Sequence, residues 1–105
     1  VAIEPEVMSV VRLVEYQAGG IVSRQLVKKA AGNVTAFAFD AGEELSEHTS
    51  PFDALVEVVE GQAEVVIAGR SHRLAAQEMI LLPANVPHAV KAVSRFKMIL
   101  TMIRS

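Results

Sequence analysis

From Ile21 onward the chain is a succession of short β-branched and aromatic runs, each stopped by a turn signal, and this pattern leaves no room for a long helix. The runs are Ile21 to Lys29, Val34 to Asp40, Leu55 to Val59, Ala63 to Ile67, Met79 to Leu82, Ala89 to Val93 and Phe96 to Ile103. Between them stand Ala31-Gly32-Asn33, Glu60-Gly61-Gln62, Ala68-Gly69-Arg70 and Pro83. Short strands at even spacing with turn residues between them predict a β-sandwich or barrel. Gly69 supplies the freedom a tight hairpin needs, and Asn33 suits a turn position with positive φ. Only Val7 to Tyr16 departs from the pattern. There Val7, Val10, Val11 and Val14 recur at helical spacing, enough for one or two turns, although β-branching weakens them.

A length of 105 residues predicts one domain, 1–105, with a thin stability margin unless it oligomerises. The hydrophobic share is 51% and the mean hydropathy +0.36, yet no apolar run approaches the ~18 residues a membrane span requires. The closing run is apolar on both faces: Phe96, Met98, Leu100 and Met102 on one, Ile99 and Ile103 on the other. A strand of that kind is buried on both faces. One face belongs to a core, and the other needs a cover. A partner chain supplies it in a homodimer; the chain's own segment from Val7 to Val27 is the rival. The net charge is −2 and the ten Lys and Arg are scattered, so no nucleic-acid footprint is predicted. The absence of Cys excludes disulfides, thiolate zinc sites and Cys nucleophiles. The opening residues show no basic and apolar leader pattern, and the expected location is cytoplasmic.

Two half-motifs carry the chemistry. Gly42, His48, Ser50, Ala54 and Gly61 fall on the spacing G-x5-H-x-H-x3-E-x6-G, with the second His and the Glu replaced. Gln77, Pro83, Asn85, His88 and Ala92 fall on G-x5-P-x-G-x2-H-x3-N, with both Gly and the Asn replaced. On these residues the chain resembles the cupin superfamily, and in particular its small single-domain bacterial (RmlC-like) branch. The likeness covers about 34–103 and leaves 1–33 as an N-terminal strand or helix segment. It implies an all-β, jelly-roll double-stranded β-helix with one site inside the barrel. Asn85 is a mild replacement, because Asn tolerates the left-handed conformation of a turn glycine. Gln77 does not share that tolerance, so the turn before Met79 is expected to be altered.

The implied ligand pocket is His48, Ser50, Ala54 and His88, with His48 and His88 as an incomplete metal site. Strand parity places Ala54, Val56 and Val58 on one face, the inward one if the resemblance holds. The pocket is then largely apolar. Catalytic zinc keeps three protein ligands, and non-haem iron uses two His and a carboxylate. Two imidazoles are expected to hold Zn, Ni or Cu weakly at best, and iron or manganese less well; the alternative is that His48 and His88 are pocket histidines that hydrogen-bond a ligand or a buried water. Asp53 alternates away from Ala54, and Glu47 away from His48. Glu43, Glu44 and Glu47 read as a solvated acidic loop. His72, next to the hairpin tip, reads as a rim residue. Met79, Met98 and Met102 read as core filler. Tyr16 and Gln17 lie outside the motifs, with a place over the barrel mouth open to them.

Three functions remain open at this point. The first is a small-molecule binding module with its ligand in the barrel mouth between His48 and His88. The second is a metal-dependent enzyme of oxygenase or isomerase type with a reduced ligand set. The third is a structural or regulatory dimer with a vestigial site. One fold hosts many functions, so the resemblance alone does not choose.

Overall fold

The computed structural model describes residues 3–104. A single 3-10 turn, Val10–Arg12, precedes nine strands: β1 Ile21–Lys29, β2 Gly32–Phe39, β3 Glu44–His48, β4 Phe52–Glu60, β5 Gln62–Ile67, β6 Arg70–Ala75, β7 Met79–Leu82, β8 His88–Ala92 and β9 Phe96–Arg104. They form a five-stranded sheet in the order β1-β2-β9-β4-β7 and a four-stranded sheet in the order β3-β8-β5-β6, with every neighbour antiparallel. From β3 onward the chain passes repeatedly from one sheet to the other. That is the jelly-roll manner of covering two sheets with one chain.

The core follows from period-2 alternation. Ala54, Val56 and Val58 of β4 point inward, together with Phe39 of β2, Phe96 and Met98 of β9, and Val65 of β5. Phe39 and Phe96 are register partners, and their rings stack at 4.5 Å between centroids. Such aromatic pairs add stabilisation beyond their burial.

Four turns show how sequence and backbone agree or strain. The β5–β6 hairpin closes through Ala68 and Gly69, both at positive φ, the type I′ geometry that matches strand twist. The β1–β2 hairpin closes through residues 30 and 31, so Asn33 lies in β2, paired with Lys28, rather than in the turn expected of it. Gly32 is needed for closeness, not for φ: a Cβ there would run into the Met102 carbonyl of β9. Gln77 does not alter its turn either. It adopts φ +71, as the glycine would, while its N–H donates to the Val58 carbonyl. Asn85 does the same at φ +64, its N–H donating to the Ser50 carbonyl.

Part of the outer face of the five-stranded sheet is covered by the same chain. Leu13 and Val14 are buried against Ala36 and Ala38 of β2, with Tyr16, Val22, Leu26 and Ile99 around them. Lys97, on that outer face of β9, is also buried; its Nζ donates to the Val11 carbonyl at 2.6 Å and lies 4.8 Å from the Tyr16 ring centre. The Tyr16 hydroxyl donates to Glu60 Oε2 at 2.8 Å. Burial, and then the Glu60 carboxylate, push the Tyr16 hydroxyl well above its ordinary pKa. Tyr16 therefore caps the Glu60 end of the sheet, where Gly61 turns into β5. It does not cover the end that carries the histidines. Among the described residues, no helix is long and apolar enough to cross a membrane.

Candidate functional site

His48 closes β3 and His88 opens β8, and the two are register partners across the β3–β8 ladder. Their rings meet edge to face, 4.4 Å between centroids and 65° apart. A register shift between Leu45 and His48 makes this possible. Leu45 packs against the core, and three residues of ordinary strand would send His48 outward; the irregularity returns it to the inward side. His88 shares parity with Val90 and Ala92, both buried. It is 8% exposed, whereas His48 stands open to solvent.

Each imidazole is oriented by its own loop. His48 Nδ1 lies 2.8 Å from the Ser46 carbonyl, and His88 Nδ1 lies 3.1 Å from the Val86 carbonyl. A carbonyl only accepts, so each Nδ1 carries the hydrogen. In the neutral tautomer both Nε2 atoms keep free lone pairs. Pro87 lies between the Val86 carbonyl and His88, and Asn85 anchors the same loop to Ser50. The left-handed turn at Asn85 is thus part of what aims His88.

The other motif positions are less chemical. The Ser50 hydroxyl accepts the Phe52 N–H at 3.1 Å and so pins the entry to β4. Ala54 is buried in the core, paired with Leu82 of β7 and Met102 of β9. Ile67 of β5 is the register partner of His88 on its other side and packs on the core. Ile67 is thus the apolar side chain that the register sets beside His88. Asp53 points outward, and its carboxylate accepts the Ala84 N–H at 2.9 Å, holding the loop that leads to His88. Glu47 and His72 are exposed. Met98 is core and Met102 half-buried on the inner face, but Met79 is a correction: it pairs with outward Glu57 and lies bare on the sheet's outer side.

Residues 36–104 match the cupin domain family. This chain belongs to the cupins. A conserved protein of unknown function from Streptococcus pyogenes is similar over 99% of this cupin and 91% of its own chain, at 33% identity and TM-score 0.92. A cupin 2 conserved barrel domain protein from Leptotrichia buccalis is 40% identical over 90% of this chain and 46% of its own, with TM-score 0.87. A salicylate 1,2-dioxygenase from Pseudaminobacter salicylatoxidans shares the fold at TM-score 0.75 and 20% identity, over 82% of this chain and 27% of its own. Among curated proteins, none matches the sequence.

The metal familiar from the cupin fold can be tested against the donors present. Among the described residues, no group of three His, Cys, Asp or Glu side chains comes together. The carboxylate position is Ala54, the Ser50 hydroxyl is engaged with backbone, and Asp53 faces away. Two imidazoles without an anionic oxygen do not fit a tightly held resident metal.

Proposed function

We propose that this cupin binds a small molecule in the barrel mouth, between His48 and His88. The observation that supports this reading is the pair of neighbouring imidazoles whose Nδ1 atoms are committed to backbone carbonyls and whose Nε2 atoms are free. The lone pairs of two neighbouring imidazoles accept hydrogen bonds from a ligand bearing O–H or N–H groups. Ile67, the register neighbour of His88, and the buried motif residue Ala54 suit a ligand with an apolar body. Phenols and small carboxylic acids with hydrocarbon bodies combine both features. Weak coordination of Zn, Ni or Cu by the same two nitrogens is the second reading, and the free lone pairs favour it as well. An oxygenase or isomerase role needs a ligand set that Ser50 and Ala54 do not supply.

The test is a titration of the isotope-labelled protein with a panel of phenols and carboxylic acids, followed in amide and histidine-ring spectra. Shifts should gather at His48, His88, Ile67 and Ala54, and should vanish in His88→Ala. Shifts gathered elsewhere would sink the reading. Elemental analysis of untagged protein should find divalent metal well below one ion per chain. A stoichiometric, tightly held metal would overturn the binding-module reading in favour of the enzyme.

A further inference from the structure

One row of the four-stranded sheet runs straight through the histidine end. The register sets His48 beside His88, His88 beside Ile67, and Ile67 beside Arg70, one residue from each of β3, β8, β5 and β6. Residues paired across antiparallel strands share a face. Here it is the inner face, since Ile67 alternates with the buried Val65 and Ala63, and Arg70 with the buried Leu74. The loop that aims His88 also holds the hairpin that carries Arg70. Arg70 closes the two-residue turn after Ile67, and the Ala68 N–H in that turn donates to the Pro87 carbonyl at 2.9 Å. At ordinary strand spacing the Arg70 backbone lies about 10 Å from that of His88, with Ile67 between them.

We infer that Arg70 is the specificity-determining residue of this site, selecting ligands with a carboxylate at one end and a hydroxyl at the other. This role rests on the binding reading above and narrows it to one ligand class. A carboxyl group is ionised at neutral pH and then only accepts hydrogen bonds. It has nothing to give to two imidazole nitrogens that are themselves acceptors. A hydroxyl suits the imidazoles, an apolar body lies on the half-buried Ile67, and the carboxylate needs a cation further along the row. A guanidinium meets a carboxylate with two parallel N–H donors. Arg70 is open to that contact: it is exposed and makes no ion pair among the described residues, where Arg95 with Asp40 is the one such pair. Arg104 is the rival cation at this end, but it belongs to the opposite sheet and its guanidinium sits over the Phe52 ring, 5.6 Å from the centroid. Arg73, three residues along β6, pairs in register with Glu64 on the outer face. A phenol without a carboxylate, or a carboxylate without a hydroxyl, fills only half of the row.

The test is a calorimetric titration with para-hydroxyphenylacetate and with para-ethylphenol, which keeps the hydroxyl and lacks the carboxylate. The unaltered protein should bind the acid about tenfold more tightly than the phenol. In Arg70→Gln the two affinities should become equal through a loss for the acid alone, the phenol keeping its affinity within about twofold. Arg70→Lys retains the charge but not the fork, and should keep part of the preference. Arg104→Gln and Arg73→Gln should keep all of it. Arg70 is exposed at a hairpin tip, so melting of its variants should match that of the unaltered protein. Equal affinities in the unaltered protein would overturn the inference, as would a preference that survives Arg70→Gln. If the phenol still shifts the His48 and His88 ring signals in either case, the binding reading stands and only the role of Arg70 falls. If neither compound moves those signals, both fall.

Discussion

The two ends of the barrel are built on opposite principles. At the Glu60 end, groups far apart in sequence are tied together. Tyr16 donates to Glu60, Arg95 pairs with Asp40 at 2.8 Å, and Asp40 also accepts the Gly19 N–H at 2.7 Å. At the histidine end the two imidazoles bond only within their own loops. His48 and His88 reach carbonyls two residues away, and their outer nitrogens are left for something else. A sealed end whose polar groups bond to each other contributes stability. An end with spare hydrogen-bonding capacity is where the proposed ligand would bind. On the proposed reading, the same barrel separates the two tasks along its axis.

The strongest way to break this contrast is to complete the open end. Ser50→His with Ala54→Glu adds an imidazole and a carboxylate to the existing pair. Affinity for Zn or Ni, measured by calorimetry, should rise about 10⁴-fold, or ~5.5 kcal/mol. A rise below tenfold would mean that the two positions do not face the histidines. Next in size is a truncation at the sealed end. Phe96→Ala removes a fully buried ring stacked on Phe39, and should cost ~3–5 kcal/mol in urea unfolding. His88→Ala, at the open end, should cost far less while abolishing ligand shifts. Equal costs would erase the distinction between the ends.

A smaller effect is legible in pH. The Gly19 N–H first, then the Arg95 guanidinium, then the Ala41 N–H hold the Asp40 carboxyl down at about 2, against an ordinary 3.8. A depressed carboxylate stabilises the fold above its unfolded pKa, and the contribution is lost as pH falls through the folded value. Asp40→Asn should therefore lower the urea midpoint above about pH 4. The gap to the unaltered protein should close toward pH 2, and a gap independent of pH would exclude the charge as its source. The smallest effect compares the two left-handed turns. Gln77→Gly relieves a long side chain at φ +71 and should stabilise by ~1 kcal/mol. Asn85→Gly should gain only a few tenths, since Asn accepts αL through local hydrogen bonding.

Legibility followed the range of the interactions involved. The strand runs, the hairpin at Gly69 and the inward parity of Ala54, Val56 and Val58 were readable because alternation and turn chemistry are local. The motif spacing also placed His48 and His88 together, and the ring contact agrees. Asn33 misled because its fitness for a turn is real but was not needed; the hairpin closed two residues earlier, and Gly32 serves the approach to β9. Met79 misled for a different reason. Apolar character does not say which side of a sheet is covered, and its pairing with Glu57 puts it outside. Tyr16 had no local signal at all, since its partners Glu60, Arg95 and Lys97 lie more than 40 residues away.

By itself, the sequence determined the all-β class, seven of the nine strands along the chain (all but β3 and β6) and the loss of the usual ligands at Ser50 and Ala54. Each of these depends on residue type and short-range spacing. Three things waited for the tertiary structure. The register shift before His48 turns that ring inward, beside His88. The N-terminal segment covers half of an outer face and leaves the other half bare. The charges of Asp40, Arg95 and Lys97 find their partners at the sealed end. All three depend on which strands become neighbours, and strand pairing is settled by burial of both sheets at once, a property no single segment carries.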